Sequence, residues 1–441
     1  MTKILISQAC LSDGRTTDIL VEDGVITEMG SNISVTGAQS INAQGLTALP
    51  GLVDLHTHLR EPGYEQSETI LTGTQAAARG GFTTVFAMAN TQPVADTAGV
   101  VEQIWRAGKE AGYADVQPIG AVTVGLGGEY LADLGAMATS RAQVRVFSDD
   151  GKCVHDPLLM RRALEYVKAF GGVVAQHAQE PRLTIDAQMN EGVVSAQLGL
   201  TGWPAVAEEA IIARDVLLAE QVGGRLHVCH LSTAGSVDII RWAKKRGINV
   251  TAEVTPHHLL LTDEEALGYD ARFKVNPPLR RKEDVQAVRE ALADGTIDIV
   301  ATDHAPHSSE TKDCEWADAA FGMVGLESAL SVVQYAMIET GLMTWADVER
   351  VLVRNPANIG SHSDAARPLE IGRRADLTLI DPSASRVWDL GALAGKSTNT
   401  PYLGLTLPGN VVHTIYGGYF TVKDSAVVDP TVVASQGVSR G

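Results

Sequence analysis

Long apolar runs are missing from this chain, and with them the roles that need one: no stretch stays apolar for the roughly 20 residues of a membrane span. The opening residues, "MTKILISQACLSDGRTTD", carry one lysine and a short apolar patch broken at Ser7 and Gln8, a poor match to a secretory signal. Cysteine is scarce. Cys10, Cys153, Cys229 and Cys314 are scattered with no C-x-x-C pair, which argues against a disulfide framework and against a thiolate zinc site. Positive charge is short as well. With 35 Lys and Arg against 53 Asp and Glu, the net charge of −18 argues against nucleic acid and anionic membrane as partners. The expected location is the cytoplasm, and an anionic substrate would need locally placed positive charge.

What is present is an ordinary globular composition, 45% apolar and 20% charged, over 441 residues. That length allows one large core plus an accessory domain. From about Ala48 to Arg354, eight β-rich runs alternate with helical patterns. They are "LPGLVDLHTH", "FTTVFAMAN", "VQPIGAVTV", "QVRVFSDD", "GGVVAQHAQ", "RLHVCHL", "INVTAEVTPHH" and "IDIVATDHAP". Intervening stretches such as "VAEEAIIARDVLLAEQVGG" stop at glycine, as a helix C-terminus does. Near-continuous apolar strands separated by helices indicate a covered parallel sheet, and eight such units predict an α/β fold of the (β/α)8 TIM-barrel type. The two ends carry shorter alternating strands with turn signals at Asp13-Gly14 and Asp23-Gly24. We therefore expect a barrel over 51–364 and a small β-sandwich domain built from 1–50 and 365–441.

The polar residues of interest sit where these strands end. His56 and His58 end the first, Asp149 and Asp150 the fourth, His177 the fifth, His230 the sixth and Asp303 the eighth. In a barrel those ends share one mouth, where active sites form. Residues i and i+2 on a strand point the same way, so His56 and His58 converge while Thr57 turns away. Taken singly, a His-x-His pair is more often core than ligand, and a strand-end Asp more often caps a helix. Four histidines and two carboxylates at one rim shift that balance. Imidazoles and carboxylates without thiolates suit zinc or a similar divalent ion in a catalytic site, and six ligands suit two ions sharing a carboxylate. By the same parity His227 and Cys229 are expected to face away from His230, into the helix layer. His304 is expected to bond locally, and His257 and His258 fit either a mouth-lining or a structural role. Arg60, two residues beyond His58, is expected on the same face with a guanidinium suited to a carboxylate.

Taken together, "GLVDLHTHLREPG", "FAMANTQP", "FSDDG", "AQHAQE", "HVCHLST", "VTAEVTPHHL", "KVNPPLR" and "ATDHAPH" resemble the dihydroorotases of the amidohydrolase superfamily. The resemblance implies zinc-dependent, reversible cyclisation of N-carbamoyl-L-aspartate to L-dihydroorotate with loss of water, the third step of pyrimidine biosynthesis. It implies that His56, His58 and Asp303 hold one ion, that His177 and His230 hold a second, and that Asp150 rather than Asp149 bridges them. Many members of the superfamily use a carbamylated lysine for that bridge, whereas here the fourth strand offers aspartate. Arg60 and Asn90, helped by His307, would hold the substrate carboxylate. Asn276 and the backbone at Phe321 and Gly322 would meet the ring, and Asp303 would act as base. The segment from His307 to Gly325 is expected to order over the substrate. A homodimer and a complex with aspartate transcarbamoylase fit the resemblance. Two other readings stay open: another cyclic-amide hydrolase of the allantoinase or dihydropyrimidinase type, or an inactive scaffold for the transcarbamoylase.

Overall fold

The computed structural model describes residues 3–430; the end of the segment assigned to the β domain, 431–441, lies outside the described residues. The N-terminal strands are β1 (Lys3–Leu11), β2 (Thr16–Glu22), β3 (Val25–Gly30), β4 (Gln39–Asn42) and β5 (Thr47–Pro50). Only Gly51 separates β5 from the first strand of the barrel, β6 (Leu52–Thr57). A Cβ at Gly51 would fall 2.0 Å from Thr83 Oγ1, so the chain can make this passage only with glycine.

The barrel continues through β7 (Phe82–Ala87), β8 (Asp115–Pro118), β9 (Val146–Phe147) and β10 (Val173–Gln176). A short side pair, β11 (Met189–Asn190) and β12 (Gly202–Trp203), precedes β13 (Leu226–Val228), β14 (Val250–Val254) and β15 (Ile299–Val300). All eight predicted runs carry a strand. They form two parallel sheets, β6-β7-β8 and β9-β10-β13-β14-β15. Parallel bridges between Gly120 and Phe147 and between Thr57 and His304 close the ring at its two seams.

Alternation along the strands divides the apolar residues into two layers. Phe86, Met88, Val173, Ala175, Ile299 and Ala301 belong to one cluster, which Ala357 and Ile359 complete. Val85, Ala87, Val174, Val228 and Val300 join the helices in another. Those helices include 98–111, 157–168, 206–222, 234–245 and 282–294. The predicted glycine stop of helix 206–222 is Gly223, which closes it in the left-handed region at φ +66.

Strands β16 (Leu377–Val387), β17 (Thr406–Tyr416), β18 (Tyr419–Lys423) and β19 (Ala426–Val427) bring the other end of the chain back. β16 pairs antiparallel with β5, so strands from both ends share one nine-stranded sheet. Ile4, Ile6, Ile19, Val21, Leu377, Leu379 and Ile415 alternate along their strands and meet in its core.

Candidate metal centre

Asp150, just beyond β9, is the hub of the mouth. Its carboxylate oxygens lie 3.4 Å from His56 Nε2, 3.3 Å from His58 Nε2, 3.3 Å from His177 Nδ1 and 3.2 Å from His230 Nε2. Asp303 Oδ1 stands 3.1 Å from His58 Nε2 and 3.4 Å from His56 Nε2. The six strand-end residues are thus brought together, all of them buried. Asp149 is turned away: it accepts the backbone N–H groups of Val122 and Thr123 at 2.8 and 3.0 Å, and the Thr123 hydroxyl.

Three of the four imidazoles are oriented by an acceptor on their far side. His56 Nδ1 meets Glu253 Oε1 at 2.6 Å, His58 Nδ1 meets Asn90 Oδ1 at 2.9 Å, and His177 Nε2 meets Gln179 Oε1 at 2.8 Å. An acceptor there requires that nitrogen to carry the proton, which leaves the inward nitrogen as the position where a cation, proton or metal, adds. His56 Nε2 is buried and has no hydrogen-bond partner among the described residues. His177 Nδ1 and His230 Nε2 approach to 2.9 Å beside the same carboxylate. Lone pairs aimed at a shared anionic point call for cations between them. The electrostatics agree. Burial opposes charge on His56, yet Asp150, Glu253 and Asp303 raise its proton affinity well above that of a free imidazole. Burial would likewise raise Asp303, but the charge of His56 and the hydrogen bond from His58 hold it down at about 2. Two triads, His56–His58–Asp303 and His56–Asp150–His230, have donor atoms close enough to hold an ion each.

The backbone reaches this geometry by leaving regular strand conformation. Register slips between Asp54 and Thr57, where a bulge re-aims His56 and His58. Arg60, His230 and Asp303 all take positive φ, +63, +32 and +46, a strain that clusters at functional sites. The turn at His230 corrects one expectation. His227 and Cys229 do not face the helix layer: His227 Nε2 bonds Glu253 Oε2 at 2.9 Å, and Cys229 lies in the apolar cluster with Ala175 and Ala301. They keep strand parity, and the left-handed kink turns His230 onto their side as well. His304, expected to bond locally, instead accepts with its ring the backbone N–H of Gly325, 21 positions on, at 3.2 Å.

The residue that parity reasoning missed is Glu253 on β14. Its carboxylate binds His56, His227 and the backbone N–H of His230. A glutamate inside the buried run "VTAEV" was the available signal, since such a group is retained only when paired. Arg60 rests its Nε–H on the Pro306 carbonyl at 3.0 Å and its Nη2 3.4 Å from His307 Nε2. His307 Nε2 also meets the Phe321 carbonyl at 2.8 Å, and Gly322 N–H donates to the Lys274 carbonyl. Asn276 donates to Gln179, while its buried Oδ1 has no hydrogen-bond partner among the described residues.

A closed (β/α)8 barrel with imidazoles and carboxylates converging at the C-terminal ends of its strands is a barrel of the amidohydrolase class. Solved structures share that architecture: an L-hydantoinase (dihydropyrimidinase) from Arthrobacter aurescens superposes with a TM-score of 0.86 at 24% identity, covering 97% of this chain and 98% of that one. A dihydropyrimidinase from Brevibacillus agri gives 0.81 at 22%. A family model described as dihydro-orotase-like matches residues 45–236. A dihydroorotase of Leifsonia xyli subsp. xyli is 69% identical over 99% of both chains, and one of Streptomyces coelicolor is 66% identical over 96% of this chain and 99% of that one. The chain belongs to the dihydroorotase family.

Proposed function

We propose that this protein is an active dihydroorotase, closing N-carbamoyl-L-aspartate to L-dihydroorotate with loss of water and running the reverse hydrolysis at the same site. One observation carries the reading: a single carboxylate, Asp150, lies within 3.4 Å of four imidazole nitrogens. In this reading two divalent ions, zinc first among the candidates, would be held by His56, His58 and Asp303 and by His177 and His230, with Asp150 contributing to both. Bound there, such ions supply an acidified water and polarise the ring carbonyl.

The chain's own residues do the rest. Asp303 faces the same point as the imidazoles, and its low proton affinity keeps it ionised at neutral pH. It accepts the proton of the attacking water and passes it to the ring nitrogen as the C–N bond breaks. In the biosynthetic direction it removes that proton from the carbamoyl nitrogen. Arg60 supplies the local positive charge that a chain of net charge −18 otherwise lacks, and with Asn90 and His307 it holds the substrate carboxylate. Asn276 and the Phe321–Gly322 backbone take the ring.

Relatives named dihydroorotase at 69%, 66% and 53% identity favour this substrate over hydantoins. The structural likeness to hydantoinases, at 24% identity or below, speaks for the fold alone. A chain that had become a scaffold would be expected to have lost ligands, and all six are in place. The barrel would span 51–364 and the composite β domain 1–50 with 365–441. No helix among the described residues is long and apolar enough to cross a membrane, and we place the enzyme in the cytoplasm. Two assemblies are compatible with the reading, a homodimer and a complex with aspartate transcarbamoylase; light scattering of the chain alone and of the mixture decides both. The deciding assay is dihydroorotate hydrolysis by wild type and Asp303→Asn. Compared at equal metal content, the variant should lose at least about 100-fold in kcat, the typical weight of a positioned acid–base group; equal rates would remove Asp303 as the base.

A further inference from the structure

Two lysines near the mouth take no part in the chemistry above, and both are buried. Lys274 is 1% exposed and Lys312 is 4% exposed. Among the described residues, neither ammonium is bonded to a carboxylate. Lys274 Nζ donates to the carbonyls of Trp316 at 2.6 Å and Ala317 at 3.0 Å. Lys312 Nζ donates to the carbonyls of Ala320 at 2.8 Å and Lys274 at 3.1 Å. The Lys274 carbonyl also receives Gly322 N–H at 2.9 Å, and its ammonium lies 4.5 Å from the centre of the Phe321 ring.

These contacts form a closed figure. One lysine reaches from the 270s loop into 316–317, and the other reaches back from 312 to the 270s loop and to 320. What they enclose is Phe321 and Gly322, which the proposed reading sets against the substrate ring. Gly322 has φ +135, and a Cβ there would meet His307 Nε2 at 2.9 Å and Ala305 Cβ at 2.8 Å, so this backbone has one working shape. Asp270 and Asp318 act on these ammonium groups only from a distance, and burying the two is costly; the carbonyl acceptors offset that cost only where the geometry is kept. Burial and the neighbouring Lys274 charge push Lys312 down to about 7.

We propose that Lys274 and Lys312 are positioning residues: a pair of crossed hydrogen-bonding struts that fixes the 308–322 segment so that Phe321 and Gly322 present a preformed surface to the ring, setting substrate affinity rather than turnover. The proposal rests on the reading that this backbone meets substrate. The test uses metal-loaded Lys274→Met and Lys312→Met, following KM and kcat for dihydroorotate, bound metal, and hydrogen exchange at the Gly322 and Ala320 amides. Loss of the buried lysine-to-carbonyl hydrogen bonds predicts KM raised about tenfold or more, kcat within about threefold, full metal occupancy, and exchange at Gly322 faster by about tenfold. Unchanged KM and exchange in both variants would overturn the proposal, as would kcat falling in step with lost metal, which marks general damage. If a methionine variant does not fold, Lys312→Gln keeps an uncharged donor in place. It should still raise KM about threefold or more, and wild-type KM and exchange in that variant would overturn the proposal equally. Absence of dihydroorotate turnover in the wild type would instead sink the substrate assignment; the exchange measurement would still decide whether the struts hold the segment.

Discussion

At the scale of single residues, the mouth is organised by side chains that never meet the reacting atoms. Glu253 is the strongest case. Burial would raise its carboxyl, but the charges and hydrogen bonds of His56 and His227 hold it well below the usual carboxylate range. It therefore stays anionic and fixes the tautomer of His56. Glu253→Gln keeps the shape but replaces an anionic acceptor with a neutral amide that can turn its donor toward His56. Metal affinity, measured by competition with a chromogenic chelator, should fall about 10- to 100-fold; an unchanged constant would show that His56 needs no such partner. His56, His58, Asp150 and Asp303 were legible because each is a polar residue at the end of an apolar run. Glu253 was not, because inside a run its carboxylate looks like an interruption of a strand. His227 and Cys229 were misassigned for another reason: parity holds only while φ stays negative, and nothing in "HVCHL" announces the left-handed turn at His230.

At the scale of elements, the eight strands were legible from apolar runs and glycine stops, and the closed end of the barrel was not. There Asp115 opens β8 and receives Gln117 Nε2 at 2.9 Å, His362 Nε2 at 3.0 Å, and the Lys109 ammonium of helix 98–111. These groups border a cavity of about 400 Å³ between the barrel and the segment 362–376 that leads into β16. His362 carried no sequence pattern because its partner is 247 positions away. Burial would raise Asp115, but the hydrogen bond from His362 and the charge of Lys109 hold it below the usual range. A folded-state value lowered in this way gives stability that is present above the unfolded value near 4 and is lost as pH falls below it. Asp115→Asn should therefore lower stability at pH 7 by on the order of 2 kcal/mol, Lys109 being partly solvated. The gap to wild type in urea titrations should narrow between about pH 5 and pH 3. A gap constant across that range would show that the charge is not what ties these elements.

At the scale of the whole molecule, the barrel is two sheets joined at two seams, each carried by an isolated bridge. The proposed ligands straddle both. His56 and His58 belong to the three-stranded sheet, whereas Asp303, His177 and His230 extend strands of the five-stranded one. Asp150 follows β9, the strand at the second seam. At the first seam His58 N–H donates to the His304 carbonyl at 2.9 Å, beside Asp303 itself. Ions in this mouth would cross-link the ring as well as serve the reaction, and without them Asp150, Asp303 and Glu253 are three buried carboxylates gathered around the same imidazoles. Adding zinc to chelator-stripped protein should then raise the melting temperature with a dependence on free metal, by about 4 kcal/mol in stability once free metal exceeds its Kd 1,000-fold. Hydrogen exchange should locate the effect at the seam, with the His58 amide protected by metal far more than amides of the terminal β-sheet. Asp150→Asn should lose most of this increment, since it weakens the ligand common to both ions. Equal melting temperatures with and without metal, or protection spread evenly over both regions, would show that the ions serve the chemistry and leave the closure of the barrel to its strands.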